Sequence, residues 1–232
     1  MTNPVRTIAI DGPVASGKST LGFVLAQRLG YLYLDTGVMY RALALAALQA
    51  GVPTDDEAQL EELLQHTRIE VQAPNVNDGR RQTVLLNGQD VSWEVYQPQV
   101  ERHVSRVAAF PAIRRAMVRE QRRIAAAQPV VMVGRDIGTV VMPDADLKIY
   151  LRASTEARAQ RRYHELRARG QRVELADVMQ QLRQRDAQDT ERADSPLQPA
   201  ADAVILDNTA LNVEETLQRV WTLIVGRTVS EH

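Results

Sequence analysis

Short apolar runs alternate along the chain with longer segments in which apolar residues recur every three or four positions. Short runs are typical of strands buried on both faces of a sheet, and the longer spacing is typical of helices. Because the two alternate, the pattern predicts an α/β fold in which a five-stranded parallel sheet carries helices on both faces. The predicted strands are residues 7–10, 31–34, 130–133, 147–151 and 203–206.

The segments between these strands predict helices with recognisable ends. Gly51 and Pro53 stop the helix predicted over 38–50, and the capping-box pattern from Thr54 to Glu57 opens a short helix to about residue 65. The other predicted helices are 18–29, 99–128 with an interruption at Pro111, 155–169, 175–189, and a last helix from an Asn212 cap to Gly226.

A different pattern interrupts the alternation between about residues 66 and 104. Short strands are predicted at 69–71 and 83–86, and Asn87-Gly88 is a two-residue hairpin signal. A small antiparallel patch inside an α/β alternation indicates an insert. We therefore interpret the chain as one domain, with an insert at 66–104 and a core at about 5–65 and 105–228.

The composition narrows the class of protein. The 232 residues include 28 basic and 29 acidic side chains, for a formal net charge of −1. This balance argues against a general binder of nucleic acid or of membrane surfaces. No apolar run reaches the roughly 20 residues of a membrane helix, and the first residues lack a signal-peptide run. Because cysteine is absent, disulfides and thiolate sites are excluded, and we expect a cytoplasmic protein.

Lysine is almost absent from the chain. Of the 28 basic residues 26 are arginine, and the two lysines are Lys18 and Lys148. Codon composition is the ordinary explanation of such an excess, so the excess alone does not indicate phosphate binding. A lysine kept in this background instead points to a place where the broad planar guanidinium does not fit.

The sharpest motif runs from Gly12 to Ser19 and reads GPVASGKS. It matches the phosphate-loop pattern and lies between a predicted strand and a predicted helix, which is the context that the pattern requires. Its glycines let backbone N–H groups turn toward a polyphosphate, and the following helix points its positive end at the same anion. Lys18 is placed to bridge the β- and γ-phosphates, and the Ser19 hydroxyl is placed to ligate Mg²⁺. The sequence therefore predicts a nucleoside triphosphate site.

Two further polar segments follow predicted strands. Thr36 and Arg41 come after the second strand. A role in the site and a purely structural role, as a helix cap and a surface arginine, explain them equally well. Arg135 and Asp136 come directly after the buried run 130–133. Charged residues at the carboxyl end of a central strand face the crevice in which ligands bind. We interpret Arg135 and Asp136 as site residues.

Two arginine groups have a simple explanation when they are considered alone. An exposed ion pair accounts for the first group, whose spacing places it on one helical stripe if the helix continues that far. A solvated helix face accounts for the second. The first group is Arg185, Asp189 and Arg192, and the second is Arg158, Arg161 and Arg162.

Together these segments resemble those of the bacterial cytidylate kinases, which phosphorylate CMP and dCMP with ATP. The resemblance rests on DGPVASGKST, LDTGVMYRALA, VSRVAAFPAIR, GRDIGTVVMPDA and QRDAQDTERADSPL. It runs from about residue 8 to residue 208, and GRDIGTVV is much more specific than the phosphate loop. It implies a core of the P-loop NTPase type, a monophosphate-binding insert at 66–104 and a short lid at about 155–170.

The resemblance also implies the role of individual residues. ATP would be bound by Gly12, Pro13, Val14, Ala15, Ser16, Gly17, Lys18, Ser19 and Thr20, with Arg158 near it when the lid closes. The cytosine base of CMP would be bound by Ser105, Arg114 and Asp136, its phosphate by Arg41, Arg135 and Arg192, and its ribose by Arg185 and Asp189, with Thr36 also in contact. The catalytic residues would be Lys18, Arg135, Arg162 and Arg192, and Ser19 would hold Mg²⁺.

One position departs from the pattern of some relatives. Val133 stands where those relatives carry an acidic residue, directly before Gly134. Any base contact or water network that depends on that carboxylate is absent here. Asp136 is then left as the acidic group for cytosine.

The implied reaction is transfer of the γ-phosphoryl group of ATP to the phosphate of CMP. The acceptor is already an anion at neutral pH, so no general base is needed. The chemistry requires cancellation of charge between two polyanions, which Lys18, Mg²⁺ and the arginines would supply.

Other functions stay open at this point. One is a P-loop kinase for another acceptor, such as UMP, and GRDIGT argues against it. A GTP-dependent switch requires an Asn-Lys-x-Asp segment, and neither lysine lies in one. A nucleotide-binding module without catalysis is disfavoured by the intact Lys18, Ser19 and Arg41. We expect a monomer, because no heptad seam is present.

Overall fold

The computed structural model describes residues 5–168, 170–192 and 194–229. Its strands are β1 (Thr7–Asp11), β2 (Leu32–Asp35), β3 (Ile69–Gln72), β4 (Thr83–Leu86), β5 (Gln89–Asp90), β6 (Val130–Gly134), β7 (Leu147–Arg152) and β8 (Val204–Asp207). Its helices are α1 (Lys18–Leu29), α2 (Gly37–Ala50), α3 (Glu57–Gln65), α4 (Pro98–Val107), α5 (Pro111–Ala127), α6 (Thr155–Ala168), α7 (Leu175–Thr190) and α8 (Val213–Val229). A 3₁₀ turn covers Glu94–Tyr96, and a π-helical turn covers Ile137–Val141.

The main sheet confirms the predicted α/β fold. It contains five strands in the order β2-β6-β1-β7-β8, and β7 pairs in parallel with both β1 and β8. Every residue of β6 is buried, because this strand is central and apolar on both faces. β8 lies at the edge of the sheet, and its Ile205 is 52% exposed.

The chain forms two compact units. The first combines the residues up to Leu29 with those from Val131 onward, and the second is Gly30–Val130. In the first unit, α6 and α7 pack on each other through a small apolar cluster, and the loop between β1 and α1 packs on the same cluster. Its buried members are Ala159, Leu166, Val178 and Leu182, and Val14 and Ala15 of the loop lie against them.

The second unit contains the small antiparallel sheet that the sequence predicts. Its strand order is β3-β4-β5, and Asn87-Gly88 forms the hairpin with φ values of 51° and 83°. Positive φ at both positions is what a type I′ turn requires. This sheet falls inside the predicted insert at 66–104. The second unit is longer than the insert, and the predicted domain bounds stay a prediction.

Each unit carries one of the two tryptophans of the chain. In the second unit the Trp93 indole N–H donates to Asp78 at 2.9 Å, and Asp78 also binds Arg80. Trp93 is nevertheless half exposed. In the first unit Trp221 lies on α8 and is 37% exposed.

The cap predicted for α3 is wrong. The N-cap is Asp56, whose side chain accepts the backbone N–H of Gln59 at 3.0 Å. Thr54 is buried, and its hydroxyl lies 2.6 Å from Nδ1 of His103 on α4. The hydroxyl is therefore used in a tertiary contact rather than at the end of the helix. The predicted Asn212 cap of α8 is confirmed, because Asn212 and Glu215 exchange both capping bonds.

The predicted end of the last helix at Gly226 is wrong, because α8 continues to Val229. The interruption at Pro111 is confirmed, because α4 ends at Val107 and α5 begins at Pro111. The helix and lid predicted near 155–170 include Arg169, which lies outside the described residues. No helix in the described part of the chain is long and apolar enough to cross a membrane.

Candidate active site

The phosphate loop joins the end of β1 to the start of α1. Three of its residues have positive φ: 151° at Gly12, 59° at Ala15 and 93° at Gly17. A Cβ at Gly12 would lie 2.1 Å from the carbonyl oxygen of Leu151, so only glycine fits this close approach. Lys18 is 7% exposed, and its ammonium donates to the Pro13 carbonyl at 3.0 Å. The lysine is therefore folded back over the loop from the first turn of α1.

Asp11, the last residue of β1, is a buried carboxylate that the sequence interpretation left without a role. Its two oxygens accept the backbone N–H groups of Ile137 and Gly138 at 2.8 and 2.7 Å. Burial raises the pKa of Asp11 to about 6, the two N–H bonds oppose the rise, and the charge of Asp136 adds to it. The rule that selected Arg135 and Asp136, a charged residue at the carboxyl end of a buried strand, also applies to Asp11.

The structure brings together several residues predicted to bind CMP. Nε of Arg135 lies 2.6 Å from one oxygen of Asp189, and Arg192 lies 3.5 Å from the other. Burial raises the pKa of Asp189, but the charge and hydrogen bond of Arg135, followed by the charges of Arg192 and Arg185, lower it further. The net result is a pKa below the ordinary value, so Asp189 is held as a carboxylate.

The helical stripe through Arg185, Asp189 and Arg192 required a helix that continues to Arg192, and this condition is not met. The helix α7 stops at Thr190, so Arg192 lies beyond it. Arg192 nevertheless lies beside Asp189, because the chain after α7 remains close to it: the Leu197 N–H donates to the Asp189 carbonyl at 2.8 Å.

The arginines of α6 differ from one another in their contacts. Arg158 is 4% exposed, and its guanidinium binds both oxygens of Asp186 at 3.0 and 2.7 Å and donates to the Val14 carbonyl at 3.2 Å. Arg162 pairs with Glu165 on its own helix at 2.9 Å. Arg158 therefore contacts the phosphate loop itself, and its predicted contact with ATP stays a prediction, as does the catalytic role of Arg162.

Asp136 and Arg185 also belong to the first unit, and the second unit holds the four remaining residues predicted to bind CMP. Arg41 of α2 lies 2.5 Å from Glu101 of α4, and its guanidinium carbon is 5.4 Å from the centre of the Tyr96 ring. Thr36 is buried and precedes α2, but its side chain does not cap that helix. Ser105 is exposed on α4.

Arg114 of α5 is held differently from Arg41. It is 3% exposed, donates to the Ala108 carbonyl at 3.2 Å, and lies 5.9 Å from the centre of the Tyr40 ring. A guanidinium at this distance from an aromatic ring is attracted by the ring electrons. Tyr40 and Ala108 therefore orient Arg114, and the sequence interpretation had assigned no role to either.

The oxygen groups near the phosphate loop fit a Mg²⁺ ion that is bound together with a nucleotide. Among the described residues, no group of three or more His, Cys, Asp or Glu side chains could hold a metal. The buried Ser16 hydroxyl has no hydrogen-bond partner, and Ser19 follows Lys18 at the start of α1. Mg²⁺ usually keeps several waters and takes few protein ligands beside substrate phosphates. A single protein ligand, such as the Ser19 hydroxyl, would therefore be enough to hold the ion beside a bound nucleotide.

Comparison with known proteins adds a family to this geometry. A family model described as Cytidylate kinase matches residues 8–225. The chain is 58% identical to a cytidylate kinase of Chloroflexus aggregans over 220 residues, which cover 95% of this chain and 94% of that one. It is 51% identical to a cytidylate kinase of Herpetosiphon aurantiacus, over 97% of this chain and 96% of that one. A bifunctional pantoate ligase/cytidylate kinase of a Synechococcus strain is 44% identical over 97% of this chain and 42% of its own length.

Proposed function

The chain belongs to the cytidylate kinase family, and on that basis we propose that it transfers the γ-phosphoryl group of ATP to CMP or dCMP. The products are ADP and CDP or dCDP, so the protein is a phosphotransferase of pyrimidine nucleotide metabolism. The observation that carries this proposal is the family match over residues 8–225, which includes both the phosphate loop and the Arg135–Asp189 pair. Phosphorylation of UMP or another monophosphate is not favoured by this match.

The phosphate loop, residues 12–20, is proposed to bind the phosphates of ATP. The support is the positive φ at Gly12, Ala15 and Gly17, which curls the backbone, and the buried Lys18 above it. Lys18 holds the β- and γ-phosphates, and Ser19 would hold Mg²⁺. When bound, Mg²⁺ neutralises charge on the phosphates during transfer. Arg158 and Arg162 of the lid at 155–170 are proposed to lie near ATP.

The arginines Arg41, Arg135 and Arg192 are proposed to bind the phosphate of CMP. In the structure Arg41 pairs with Glu101, and both Arg135 and Arg192 lie beside Asp189. A guanidinium that binds a carboxylate has the geometry to bind a phosphate, because both anions accept parallel N–H bonds. Lys18, Arg135, Arg162 and Arg192 then supply the positive charge that the transferred group requires.

The transfer itself involves one bond formed and one bond broken. An anionic oxygen of the CMP phosphate attacks the γ-phosphorus of ATP, and the bond from that phosphorus to the β,γ-bridging oxygen breaks, so ADP leaves with the electron pair. No proton needs to be removed from the acceptor. The protein therefore acts by positioning the two phosphates and by cancelling their charge.

Selectivity for cytosine is assigned to Ser105, Arg114 and Asp136, and selectivity for the sugar to Arg185 and Asp189. Asp136 and Arg114 are buried, so an unpaired hydrogen-bonding group on either is costly when the wrong base is bound. Thr36 is proposed to lie in contact with the acceptor. Uracil exchanges a donor for an acceptor on its pairing edge, and such a mismatch leaves buried groups unsatisfied.

The test is an ADP-release assay with Mg·ATP and a panel of CMP, dCMP, UMP, AMP and dTMP. We expect CMP or dCMP to be the best acceptor by at least about tenfold in kcat/KM. A reaction without acceptor measures ATP hydrolysis and is subtracted. If UMP or AMP is used as well as CMP, the assignment of the acceptor is wrong.

The remaining features of the proposal concern the whole protein. We propose that it acts as a monomer in the cytoplasm, where its nucleotide substrates are made and used. We also propose that the insert at 66–104 serves the monophosphate and that the lid at 155–170 serves ATP. Nucleic acid and membranes are not among the proposed partners.

A further inference from the structure

The outward-facing side of the phosphate loop carries an inference of its own. A planar trans peptide points its C=O and its N–H in opposite directions. When the N–H groups of a loop turn inward toward an anion, the carbonyls of the same peptides therefore face the protein. Two of these carbonyls, those of Val14 and Ser16, flank Ala15, whose φ is 59°. Buried carbonyls need donors, and the first unit supplies them.

The shorter of two bonds to the Ser16 carbonyl comes from the loop after β8, and the longer one comes from Arg161 of α6 at 3.4 Å. The Asn208 side-chain amide donates to the Ser16 carbonyl at 2.9 Å, and Asn208 is 5% exposed. Its backbone N–H donates to the carbonyl of Arg152, the last residue of β7, at 2.9 Å. Asn208 is thus anchored to the main sheet through its backbone and holds the phosphate loop through its side chain.

A second residue orients the Asn208 amide. Arg161 of α6 donates to the Asn208 side-chain oxygen at 3.2 Å and to its backbone carbonyl at 2.6 Å. Rotating the amide by half a turn would place its oxygen against the Ser16 carbonyl and its NH₂ against the guanidinium. Both contacts would be repulsive, so Arg161 determines which end of the amide faces the loop.

The peptide whose carbonyl belongs to Ser16 has its N–H on Gly17. Because Asn208 and, over a longer distance, Arg161 hold the Ser16 carbonyl outward, the Gly17 N–H of that peptide is held toward the interior of the loop. Gly17 has a φ of 93°. Glycine can adopt many backbone conformations, so contacts with neighbouring residues are needed to hold it in this one. A Cβ at Gly17 would lie 3.5 Å from the Asn208 amide nitrogen, so the two residues are also in close contact.

We propose that Asn208 and Arg161 are positioning residues for the phosphates of the donor nucleotide. They do not bind the nucleotide: the oxygen and one N–H of the Asn208 amide are used inside the protein. They fix the peptide between Ser16 and Gly17 so that the Gly17 N–H is already aimed at a phosphate before binding. Pre-orientation of this kind lowers the cost of ordering the loop on binding. The inference rests on the proposed use of ATP as donor.

The test compares two asparagines of the same loop region, Asn208→Ala and Asn212→Ala. Asn212 caps α8, so its loss lowers stability without touching the phosphate loop. We expect Asn208→Ala to raise the KM for ATP about tenfold and to leave the KM for CMP within about twofold. Asn212→Ala should leave both constants within about twofold.

Binding measurements separate positioning from general damage. By calorimetry, Asn208→Ala should weaken ATP and ADP about tenfold and leave AMP unchanged, because AMP has no β-phosphate for the loop to hold. If Asn208→Ala does not fold, Asn208→Asp and Arg161→Lys give the same test. Asn208→Asp keeps the shape but turns an acceptor toward the Ser16 carbonyl, so it should weaken ATP at least as much as the alanine variant.

Two outcomes would overturn the inference, and neither depends on the choice of acceptor. The first is an Asn208→Ala protein with the ATP affinity of the wild type. The second is an equal loss for ATP, AMP and CMP, which would indicate a structural role alone. Failure of the wild-type protein to phosphorylate CMP would instead count against the proposed function.

Discussion

The two lysines of the chain lie in similar surroundings but have different partners. Lys18 and Lys148 are both 7% exposed, and each ammonium donates to the carbonyl of the proline five residues before it, Pro13 or Pro143. Lys148 is also bound by both oxygens of Asp202 at 2.8 Å. Its charge is thus neutralised inside the protein by a carboxylate.

Lys18 differs because the backbone around it favours the binding of an anion. The loop below it has three residues with positive φ, and it stands at the N-terminus of α1, where the helix dipole favours negative charge. In a chain with 26 arginines, the presence of each of the two lysines thus has its own explanation. Lys148 holds β7 to Asp202, which precedes β8, and Lys18 is proposed to bind a phosphate.

The largest expected effect separates these two roles directly. Lys18→Met should lower kcat about a thousandfold, because it removes the positive charge that is proposed to stabilise the transferred phosphoryl group. Lys148→Met should leave kcat within about twofold and lower the free energy of unfolding by about 1 kcal/mol, because the Pro143 carbonyl loses its donor. ADP release and urea unfolding measure the two quantities. A large loss of kcat in Lys148→Met would remove the distinction.

The next prediction tests whether Arg135 has a structural role, like Lys148, or a role in the site, as proposed for Lys18. If its pair with Asp189 were only structural, like that of Lys148 with Asp202, Asp189→Ala would change stability alone. We expect instead that Asp189→Ala raises the KM for CMP and dCMP about thirtyfold, because the sugar loses its acceptor, and leaves the KM for ATP unchanged. Steady-state kinetics with each substrate varied in turn decides the matter, and an unchanged KM for CMP would remove Asp189 from the site.

The smallest effect concerns Asp11, whose pKa is raised to about 6 by burial, against the opposing charge of Lys18. The native state therefore holds this proton more tightly than the unfolded chain. Stability from Asp11 is present at low pH and is lost as the pH rises toward and through 6. The loss should be about 1 kcal/mol between pH 5 and pH 7.

Asp11→Asn isolates this contribution, because the amide does not titrate in this range. Urea unfolding at pH 5 and pH 7 should show that wild-type stability falls relative to the variant as the pH rises. Asp189, whose pKa is lowered, acts in the opposite direction and is common to both proteins. Parallel stability curves for the two proteins would contradict the raised pKa.

Local patterns predicted most of the fold. The five strands of the main sheet follow short apolar runs, and the hairpin follows Asn87-Gly88, because both signals depend on neighbouring residues. The Thr54 cap was wrong for the opposite reason. Its hydroxyl contacts His103, 49 residues away, and no local pattern indicates that contact.

The candidate site divides in the same way. The phosphate loop and the Arg135-Asp136 segment are readable because their residues are adjacent in the sequence. The partners of the site residues are not adjacent in the sequence. Arg135 contacts Asp189, which is 54 positions away, and Asn208 contacts Ser16, which is 192 positions away. Such pairs depend on how the sheet brings distant strand ends together, which a single sequence does not specify.

The division of the two tryptophans has a spectroscopic consequence. Trp93 and Trp221 are the only indoles in the sequence, and one belongs to each compact unit. Replacing either one by phenylalanine leaves a protein whose tryptophan fluorescence comes from a single unit. Trp93 is bonded to the carboxylate of Asp78, and a change in that bond alters the polarity around its ring. The chain thus contains its own pair of optical reporters, and each of the two single-tryptophan variants follows the melting of one unit.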